Sequence, residues 1–221
     1  MILLDCEQRS AEWVKARLGI PTASSFEKIL TPKTRKPSTQ QTGYMYSLLA
    51  EWLTGEPADA AVSGFMERGT ALEPEAVKWY EWERGVDVQR VGLVLRDDRM
   101  VGCSPDGLVG DDGGLEVKCP AASTHVKYLL QGLEGYDAQC QGALWLTGRS
   151  WWDLVAYHPT MPSRIVRYSR DEEYIEALDA EMENFLTTLR LSRAALLERG
   201  CVPAGASVAM PVGAFHEPEP F

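Results

Sequence analysis

Residues 104–120 read SPDGLVGDDGGLEVKCP, a stretch dense in turn-forming residues. Two short apolar segments, 100–103 and 115–119, flank the glycine-rich turn 110–114. Apolar segments of this length joined by such a turn are typical of a β-hairpin. The stretch therefore predicts two paired strands, the first ending near residue 103 and the second beginning near residue 115.

Three charged side chains of this hairpin are expected to converge. Successive side chains of a strand point to opposite faces, so Glu116 and Lys118 share one face of the second strand. The other face carries the apolar side chains Leu115, Val117 and Cys119. Asp106 lies just past the predicted first strand, where it can close onto the polar face.

Asp106, Glu116 and Lys118 have the chemistry of a metal-dependent nuclease core. Cleavage of a phosphodiester needs a hard cation on oxygen ligands, an activated water and positive charge beside the phosphate. The carboxylates supply the oxygens, and the lysine can orient or help deprotonate the water and offset negative charge. The alternative is an amphipathic hairpin with solvated charges. Because Pro105 and Gly107 hold Asp106 in a tight turn and charges in an apolar strand need a reason, the nuclease interpretation is favoured.

Length and composition favour one globular domain over residues 1–221, since 45% apolar content can fill a core. No apolar run is long enough to span a membrane, and the first residues do not form a secretory signal, so a cytoplasmic protein is expected. Five scattered cysteines without a Cys-x-x-Cys pair argue against a zinc site, an iron–sulfur cluster and a disulfide framework.

The net charge of −10 is unusual for a protein that binds nucleic acid, because affinity for DNA comes largely from Lys and Arg. The charge is unevenly distributed. Through residue 43, seven basic residues outnumber four acidic ones, whereas ten acidic residues and only three arginines follow residue 170. This asymmetry suggests a basic working face and an acidic exterior, although charge runs are more often simply solvated surface.

Apolar periodicity predicts helices in alternation with strands. Ser10 is a candidate N-cap for a helix through residue 18, and Thr22 is one for a short helix through residue 30. Further helices are predicted at 44–53, 71–84, 123–130, 134–146 and 171–199, and strands at 86–95, 151–157 and 164–168. This order predicts an α/β fold with a mixed central β-sheet flanked by helices on both faces.

Three polar residues outside the hairpin are further candidates for the site. Glu73 lies at the predicted start of helix 71–84, where a carboxylate is either a metal ligand or only a stabilising cap on the helix dipole. Gln139 and Gln141 lie on a largely apolar helix. A buried amide must have its donors and acceptors satisfied, so one of the two is expected to face a polar cleft, with solvent exposure as the alternative.

Two segments lack apolar periodicity. Segment 31–42 carries the basic residues Lys33 and Arg35, so it is either a disordered surface loop or an arm that contacts phosphates. The tail 201–221 is rich in Pro, Gly and Ala. It is expected to be loosely ordered or to dock on a neighbouring subunit.

Five short motifs, in a fixed order along the chain, carry a resemblance to a known family. They are ARLGIPTAS (16–24), LLAE (48–51), CSPDGL (103–108), GLEVKCP (114–120) and AQCQ (138–141). With them the chain, from Trp13 to about Tyr174, resembles the exonuclease of bacteriophage lambda and its relatives, the YqaJ-like viral-recombinase exonucleases of the PD-(D/E)xK nuclease superfamily. The resemblance implies a restriction-endonuclease-like core. It also implies a Mg²⁺-dependent 5′→3′ exonuclease on duplex DNA that leaves 3′ overhangs for recombination by single-strand annealing.

The resemblance also implies roles for individual residues, and those at the active site are Glu73, Asp106, Glu116, Val117, Lys118 and Gln139. Asp106, Glu116 and the backbone carbonyl of Val117 bind metal. Glu73 assists at a second ion, Lys118 serves the attacking water, and Gln139 is a further active-site residue. Two Mg²⁺ ions per site are implied, with Mn²⁺ as a substitute, so that one activates the nucleophile while the other stabilises the leaving oxygen.

A pocket for the terminal 5′-phosphate is implied in the same way, formed by Arg17, Ser24 and Ser104. A guanidinium group with hydroxyl groups suits a terminal phosphate. The chain departs from the family here, because Thr124 stands where a second arginine of the pocket is expected. Either His125 or Lys127 could substitute for that arginine, or the preference for 5′-phosphorylated ends is weaker in this chain.

The resemblance further implies an assembly and partners. Met66 aligns approximately with the residue that family members push between the terminal base pairs, although an ordinary loop methionine is the alternative. Family members form a homotrimeric ring around DNA. A ring with a basic channel and an acidic exterior would reconcile the net charge with binding to double-stranded DNA ends. A single-strand annealing recombinase as partner and a phage or prophage origin in a bacterial host cell are also implied.

Three other functions stay open at this point. A restriction-type endonuclease or a RecB-like nuclease would keep the three charged residues yet cleave internally, while the missing cysteine cluster disfavours a Cas4-like enzyme. A non-catalytic module that binds DNA ends would release no nucleotide with Mg²⁺. A purely structural acidic protein would bind no duplex end at low salt.

Overall fold

The computed structural model describes residues 1–58 and 64–205, and for residues 64–68 it describes the backbone alone. The side chain of the predicted wedge residue Met66 and the tail beyond residue 205 therefore lie outside the described parts. Among the helices within these ranges, none is long and apolar enough to cross a membrane.

The described elements are, in chain order, β1 (Ile2–Leu4), α1 (Ala11–Arg17), a 3₁₀ helix (Ala23–Lys28), β2 (Leu30–Thr31), β3 (Lys36–Pro37), α2 (Gln41–Thr54), α3 (Gly64–Arg84), β4 (Val88–Gln89), β5 (Leu93–Leu95), β6 (Gly102–Cys103), β7 (Gly107–Val109), β8 (Gly113–Lys118), α4 (Ala122–Gln131), α5 (Asp137–Thr147), β9 (Trp151–Ala156), β10 (Arg164–Ser169) and α6 (Glu172–Glu198). Ser10 caps α1 as predicted, since its hydroxyl accepts the backbone N–H of Trp13.

A five-stranded mixed sheet forms the centre of the fold, in the order β10-β9-β8-β7-β4. β8 and β9 are parallel, and the other neighbours are antiparallel. On one face, Tyr80 of α3 packs with Leu115 and Val117 of β8. On the other face, Trp152 and Leu154 of β9 pack into the core built by the 3₁₀ helix, α5 and α6. The predicted α/β fold with a mixed, doubly covered sheet is confirmed.

The hairpin of the motif begins later than predicted. β7 pairs antiparallel with β8, so the first strand is Gly107–Val109. The predicted strand at 100–103 was wrong, because only Gly102–Cys103 is extended there and it pairs with β5 in a second sheet. Pro105 cannot donate a ladder hydrogen bond, and it lies between the two short strands. Asp106 therefore precedes the first strand of the hairpin.

Helix α3 begins at Gly64, earlier than the predicted residue 71. Glu73 and Pro74 consequently lie inside the helix, and the interpretation of Glu73 as a cap at a helix start was wrong. A proline inside a helix removes one backbone hydrogen bond. Burial of Ala76 and Tyr80 against the sheet offsets that loss, and such tertiary packing overrides local propensity.

The predicted strand at 86–95 divides into β4 and β5, which belong to different sheets. Gly92 lies where the chain passes between them. A Cβ at this position would be 2.1 Å from the carbonyl oxygen of Cys6, so only glycine allows this close approach to the N-terminal segment.

The helix after Thr22 and the segment that follows it also differ from the prediction. The helix after Thr22 is a 3₁₀ helix that ends at Lys28, and the Thr22 side chain makes no capping hydrogen bond. Segment 31–42, predicted to lack regular structure, contains the hairpin β2–β3 with Thr31 opposite Lys36. Arg35 in its turn forms ion pairs with the α6 region, so the tip of this hairpin is held against the body of the protein.

Close packing of β8 on β9 predicts a large effect for Gly114→Ala. A Cβ on Gly114 would lie 2.1 Å from ring atoms of Trp152, which is fully buried. We expect the free energy of unfolding, measured by denaturant titration, to fall by about 3 kcal/mol because the core is overpacked. Gly43→Ala in α2 is the matched control. No atom lies within 4 Å of its added Cβ, so an increase of roughly 0.5–1 kcal/mol is expected. Equal losses in both variants would contradict the packing argument.

Candidate active site

Strand β8 presents its charged and apolar side chains on opposite faces. Glu116 and Lys118 lie together, with Lys118 Nζ 2.7 Å from Glu116 Oε1. Leu115 and Val117 are buried on the other face, against α3. The alternation predicted for this strand is confirmed, and it turns the two charged residues toward α5.

Asp106 is tied to the same strand by the backbone on both sides. Its Oδ2 accepts the N–H of Val117 at 2.6 Å, and its own N–H donates to the carbonyl of Leu115 at 3.1 Å. Burial raises the pKa of Asp106 well above its usual value, and the nearby charges of Glu116 and Glu73 raise it further. Asp106 and Glu116 are therefore two nearly buried carboxylates close to each other, an arrangement that disfavours the charged form of Asp106.

Lys118 is the cation of this group. Its Nζ also donates to Gln139 Oε1 at 3.2 Å and lies 4.9 Å from the ring centre of Tyr136. Burial by itself would lower the pKa of Lys118, but Glu116 and Asp106 outweigh burial and raise it above its usual value. The lysine is therefore protonated in this arrangement. The contribution of Tyr136 had no signal in the sequence.

The two glutamines of α5 have different environments. Gln139 contacts Lys118 and lines the cavity above Asp106 and Glu116. Gln141 instead connects the end of β10 to the start of α6, since it donates to the carbonyl of Ser169 at 2.8 Å and accepts the N–H of Asp171 at 3.0 Å. Gln139 is thus the amide that faces a polar cleft, and Gln141 is a satisfied core amide.

Glu73 reaches the group from α3, and two arginines hold it. Arg9 Nη2 lies 2.9 Å from Glu73 Oε2, and Arg90 Nη2 binds the other oxygen, Oε1. The sequence prediction missed both arginines, because Arg9 lies in a short stretch without periodicity and Arg90 lies in a predicted strand. Their proximity depends entirely on how α3 packs.

Arg17, Ser24 and Ser104 also come together. Arg17 Nη1 donates to Ser104 Oγ at 2.9 Å, and the guanidinium group stacks over the ring of Trp13 at 4.0 Å. Thr22 joins Arg17 to Ser24 through two longer contacts of 3.4 Å. Burial lowers the pKa of Arg17 from its usual value. The sequence prediction missed Trp13 and Thr22 as members of this cluster.

One cavity of about 340 Å³ connects this cluster to the carboxylates, and its charged and polar lining residues include Gln8, Arg9, Arg17, Ser24, Ser104, Asp106, Glu116, Lys118 and Gln139. Its volume is in the usual range for a small-molecule or cofactor site. The cavity therefore places hydroxyl and guanidinium donors beside a pair of carboxylates and a lysine.

The residues near Thr124 do not replace the expected second arginine. His125 is fully buried, and its Nε2 lies 2.9 Å from the carbonyl oxygen of Pro162, so the idea that His125 substitutes was wrong. Lys127 is exposed on α4 and does not line the cavity. Lys33 is exposed at the tip of the β2–β3 hairpin.

A metal ion would find an incomplete but chemically suitable donor set. Within residues 1–58 and 64–205, no group of three or more His, Cys, Asp or Glu side chains is gathered closely enough to hold an ion. Asp106 and Glu116 are nevertheless two nearly buried oxygen donors, and burial, followed by the charge of Glu116, raises the pKa of Asp106. Hard divalent cations take such carboxylate oxygens, and a cation there would relieve the repulsion. The two carboxylates are therefore suitable ligands for a hard divalent cation.

Comparison with known proteins gives one family and two related structures. The model of the YqaJ-like viral recombinase domain matches residues 12–150. No curated protein matches the chain significantly. LHK-Exo in complex with dAMP is 35% identical, with a TM-score of 0.77 over 86% of this chain and 98% of that one. The alkaline exonuclease LHK-Exo from Laribacter hongkongensis is 34% identical over the same shares, with a TM-score of 0.77.

A more distant structure shows the same fold. The phage related exonuclease from Haemophilus somnus is 18% identical, with a TM-score of 0.60, and the match covers 80% of this chain and 96% of that one. The fold is therefore shared, over the matched part of this chain, beyond the range of clear sequence similarity.

Proposed function

Because the chain belongs to the YqaJ-like viral recombinase domain family, we propose that it is a Mg²⁺-dependent 5′→3′ exonuclease. It degrades the 5′-ended strand of duplex DNA and leaves a 3′ single-stranded overhang. The observation that carries the proposal is the cavity that joins Arg17 and Ser104 to Asp106, Glu116 and Lys118. The relative LHK-Exo supports it, since it is an alkaline exonuclease and binds dAMP, a deoxynucleoside monophosphate.

The cluster of Arg17, Ser24 and Ser104 selects the 5′ end of a strand. A terminal phosphate carries more negative charge than an internal phosphodiester and presents more acceptor oxygens. The guanidinium group of Arg17 and the hydroxyls of Ser24 and Ser104 match those acceptors. Binding the 5′-phosphate there puts the next phosphodiester within the same cavity as the carboxylates. This arrangement supports 5′→3′ polarity.

Asp106, Glu116 and the backbone carbonyl of Val117 would hold Mg²⁺. When bound, the ion supplies a Lewis acid for the phosphate oxygen and lowers the pKa of a coordinated water. A second Mg²⁺ beside Glu73 and replacement by Mn²⁺ belong to the same proposal. Glu73 can serve a second ion only after at least one of its arginines leaves a carboxylate oxygen.

Lys118 and Gln139 complete the chemistry on the protein side. Lys118 orients the attacking water and offsets the negative charge that develops on the phosphate. Gln139 holds the ammonium group through its Oε1, which limits the positions that the flexible lysine can take. Tyr136 bounds the ammonium group from another side.

The assembly proposed with this function is a homotrimeric ring around duplex DNA in the cytoplasm of a bacterial host. A ring keeps an enzyme of net charge −10 on its substrate without strong attraction to phosphates. A single-strand annealing recombinase would load onto the exposed overhang. Light scattering during size-exclusion chromatography tests the assembly, and a monomer mass would contradict it.

The proposed activity is tested with linear duplexes that carry a separate label at each 5′ and 3′ end. With Mg²⁺, we expect early release of mononucleotides from the 5′ ends and retention of the 3′ labels. Chelator should stop the release. A covalently closed plasmid should stay intact, and its cleavage would favour the endonuclease alternative. Release from the 3′ ends first would contradict the polarity.

Replacement of Arg17 should reveal the phosphate pocket. On 5′-phosphorylated ends, Arg17→Ala is expected to lower kcat/KM on the order of ten- to hundredfold, the usual value of a charge-assisted hydrogen bond. On 5′-hydroxyl ends the loss should be small. Lys15→Ala is the matched control, since Lys15 is an exposed cation on the same helix. Equal losses on both kinds of end would contradict the pocket.

A further inference from the structure

Arg9 has a backbone conformation that side-chain-bearing residues rarely adopt. Its φ is +70°, in the left-handed region that favours glycine. The conformation is unfavourable for a residue with a Cβ and persists only where the surrounding structure imposes it. Such positions often have a functional reason.

Gln8 fixes the turn that carries Arg9. Its Nε2 donates to the carbonyl of Val91 at 3.0 Å and to the carbonyl of Pro105 at 2.8 Å. On the far side, the backbone N–H of Ser10 donates to the carbonyl of Glu7 at 3.1 Å. The turn is therefore fastened directly beside Asp106, which follows Pro105 in the chain. Arg9 has a defined place next to the carboxylates.

Glu73 does not fully neutralise the positive charge of the Arg9 side chain. Glu73 is shared between Arg9 and Arg90, so one carboxylate faces two guanidinium groups. Each guanidinium group contacts Glu73 through its Nη2, and the two arginine side chains are 49% and 47% exposed. Guanidinium groups have five N–H donors. The Glu73 side chain thus positions Arg9 without saturating it.

Arg9 and Arg17 both line the cavity of about 340 Å³ at the carboxylates, here called the central cavity, and each of them also lines a different neighbouring cavity. Arg17 also lines the neighbouring cavity beside α2, whereas Arg9 lines those beside Glu73. Three cations of the central cavity, Arg9, Arg17 and Lys118, face the carboxylates Asp106 and Glu116. One of the cavities beside Glu73 is lined by both Arg9 and Arg90. It is less suited to an anion, because Asp5, Glu7 and Glu73 line it as well. The anion-binding side of Arg9 is therefore its inner side.

We propose that Arg9 binds the backbone phosphate that immediately follows the scissile phosphate on the degraded strand, and that Arg90 positions it by sharing Glu73. This subsite rests on the proposed function. The 5′-terminal phosphate lies at Arg17, the scissile phosphate lies at Asp106, Glu116 and Lys118, and the third phosphate lies at Arg9. Consecutive phosphates of one strand thereby meet positive charge along the cavity.

The test replaces Arg9 with glycine. Arg9→Gly removes the charge and suits a φ of +70°, so its thermal midpoint should not fall. Arg99→Gly is the matched control, because Arg99 is an exposed arginine whose φ is +60° in the turn between β5 and β6. Binding of a 5′-phosphorylated duplex is measured by fluorescence anisotropy in chelator, and kcat/KM is measured with Mg²⁺.

A second duplex carries a neutral methylphosphonate in place of the third phosphate. The wild type and Arg99→Gly should bind it on the order of tenfold more weakly than the natural duplex. Arg9→Gly should bind the natural duplex about as weakly and lose nothing further on the methylphosphonate. The same pattern is expected in kcat/KM.

A methylphosphonate penalty that persists in Arg9→Gly would overturn the subsite. If Arg9→Gly changed only the Mg²⁺ requirement and kept that penalty, Arg9 would merely neutralise Glu73, which also overturns the subsite. Failure of the wild type to release nucleotides would refute the proposed function. The comparison in chelator would still show whether Arg9 contacts that phosphate, so the two failures are distinguishable.

Discussion

Lys118→Ala is expected to lower the rate of nucleotide release by about 10³-fold while binding of the duplex end is retained. The ammonium group lies 2.7 Å from Glu116 and 3.2 Å from Gln139. In the proposed reaction, negative charge would develop on the phosphate beside it. Alanine removes both the positive charge and the group that orients the water. Binding depends on other cations of the cavity, so its affinity should change little. Single-turnover kinetics and anisotropy separate the two quantities.

Two further variants sharpen this test. Lys78→Ala removes an exposed lysine of α3 and should leave both quantities unchanged. Lys118→Arg keeps the charge but replaces a compact ammonium group with a planar one, so it should recover only a small part of the rate. Turnover near the wild-type rate in Lys118→Ala would remove the role assigned to Lys118.

Asp153→Ala is expected to lower the free energy of unfolding by about 3 kcal/mol, chiefly because the fully buried Tyr80 hydroxyl would lose its acceptor. The Arg167 side chain is 48% exposed, so water can hydrate it once Asp153 is gone and its ion pair contributes little. Asp153 is fully buried in β9 and accepts two hydrogen bonds from Arg167, at 2.7 and 2.8 Å, and one from the Tyr80 hydroxyl at 2.8 Å. Alanine would leave a buried hydroxyl without its acceptor. Denaturant unfolding followed by circular dichroism measures the loss.

Asp153→Asn keeps the side-chain shape and one acceptor oxygen, so its loss should be smaller than that of alanine. Asp97→Ala is the surface control. Asp97 is 82% exposed and forms an ion pair with the N-terminal amino group at the surface, so stability should hardly change. Similar stability for Asp153→Ala and the wild type would mean that the Tyr80–Asp153 contact does not hold α3 on the sheet.

The Asp153 contact also bears on the active site. Tyr80 lies two turns after Glu73 on α3, and its hydrogen bond to Asp153 secures that helix against the sheet. Glu73 must be held in position for Arg9 and Arg90 to share it. The buried polar cluster on one face of the sheet thus supports the charged cluster at the edge of the cavity.

Local pattern was sufficient where a residue's surroundings come from its own segment. The alternation of β8 predicted that Glu116 and Lys118 share a face, and Ser10 was recognised as the cap of α1. Both depend on backbone geometry that repeats every two to four residues. The α/β class followed from the order of such segments.

Pattern failed where distant segments meet. The hairpin was assigned the wrong first strand, because the pairing of Gly102–Cys103 with β5 involves residues outside the motif. Glu73 was wrongly assigned to a helix start. Packing against the sheet lets α3 begin at Gly64, ten residues before Pro74, and local sequence does not show this. Gln139 and Gln141 were equivalent by spacing, and only the positions of Lys118 and of the β10–α6 junction distinguish them.

By itself, the amino-acid sequence determined the polar face of β8, the class of fold and the membership of the motif residues in one charged group. Tertiary structure alone determined that Arg9 and Arg90 share Glu73, that Arg17 meets Ser104, and that one cavity connects them. The physical reason is the range of the interactions. Strand alternation and capping act over a few residues, whereas these contacts join residues separated by 17 to 87 positions and exist only once the sheet and its helices have packed.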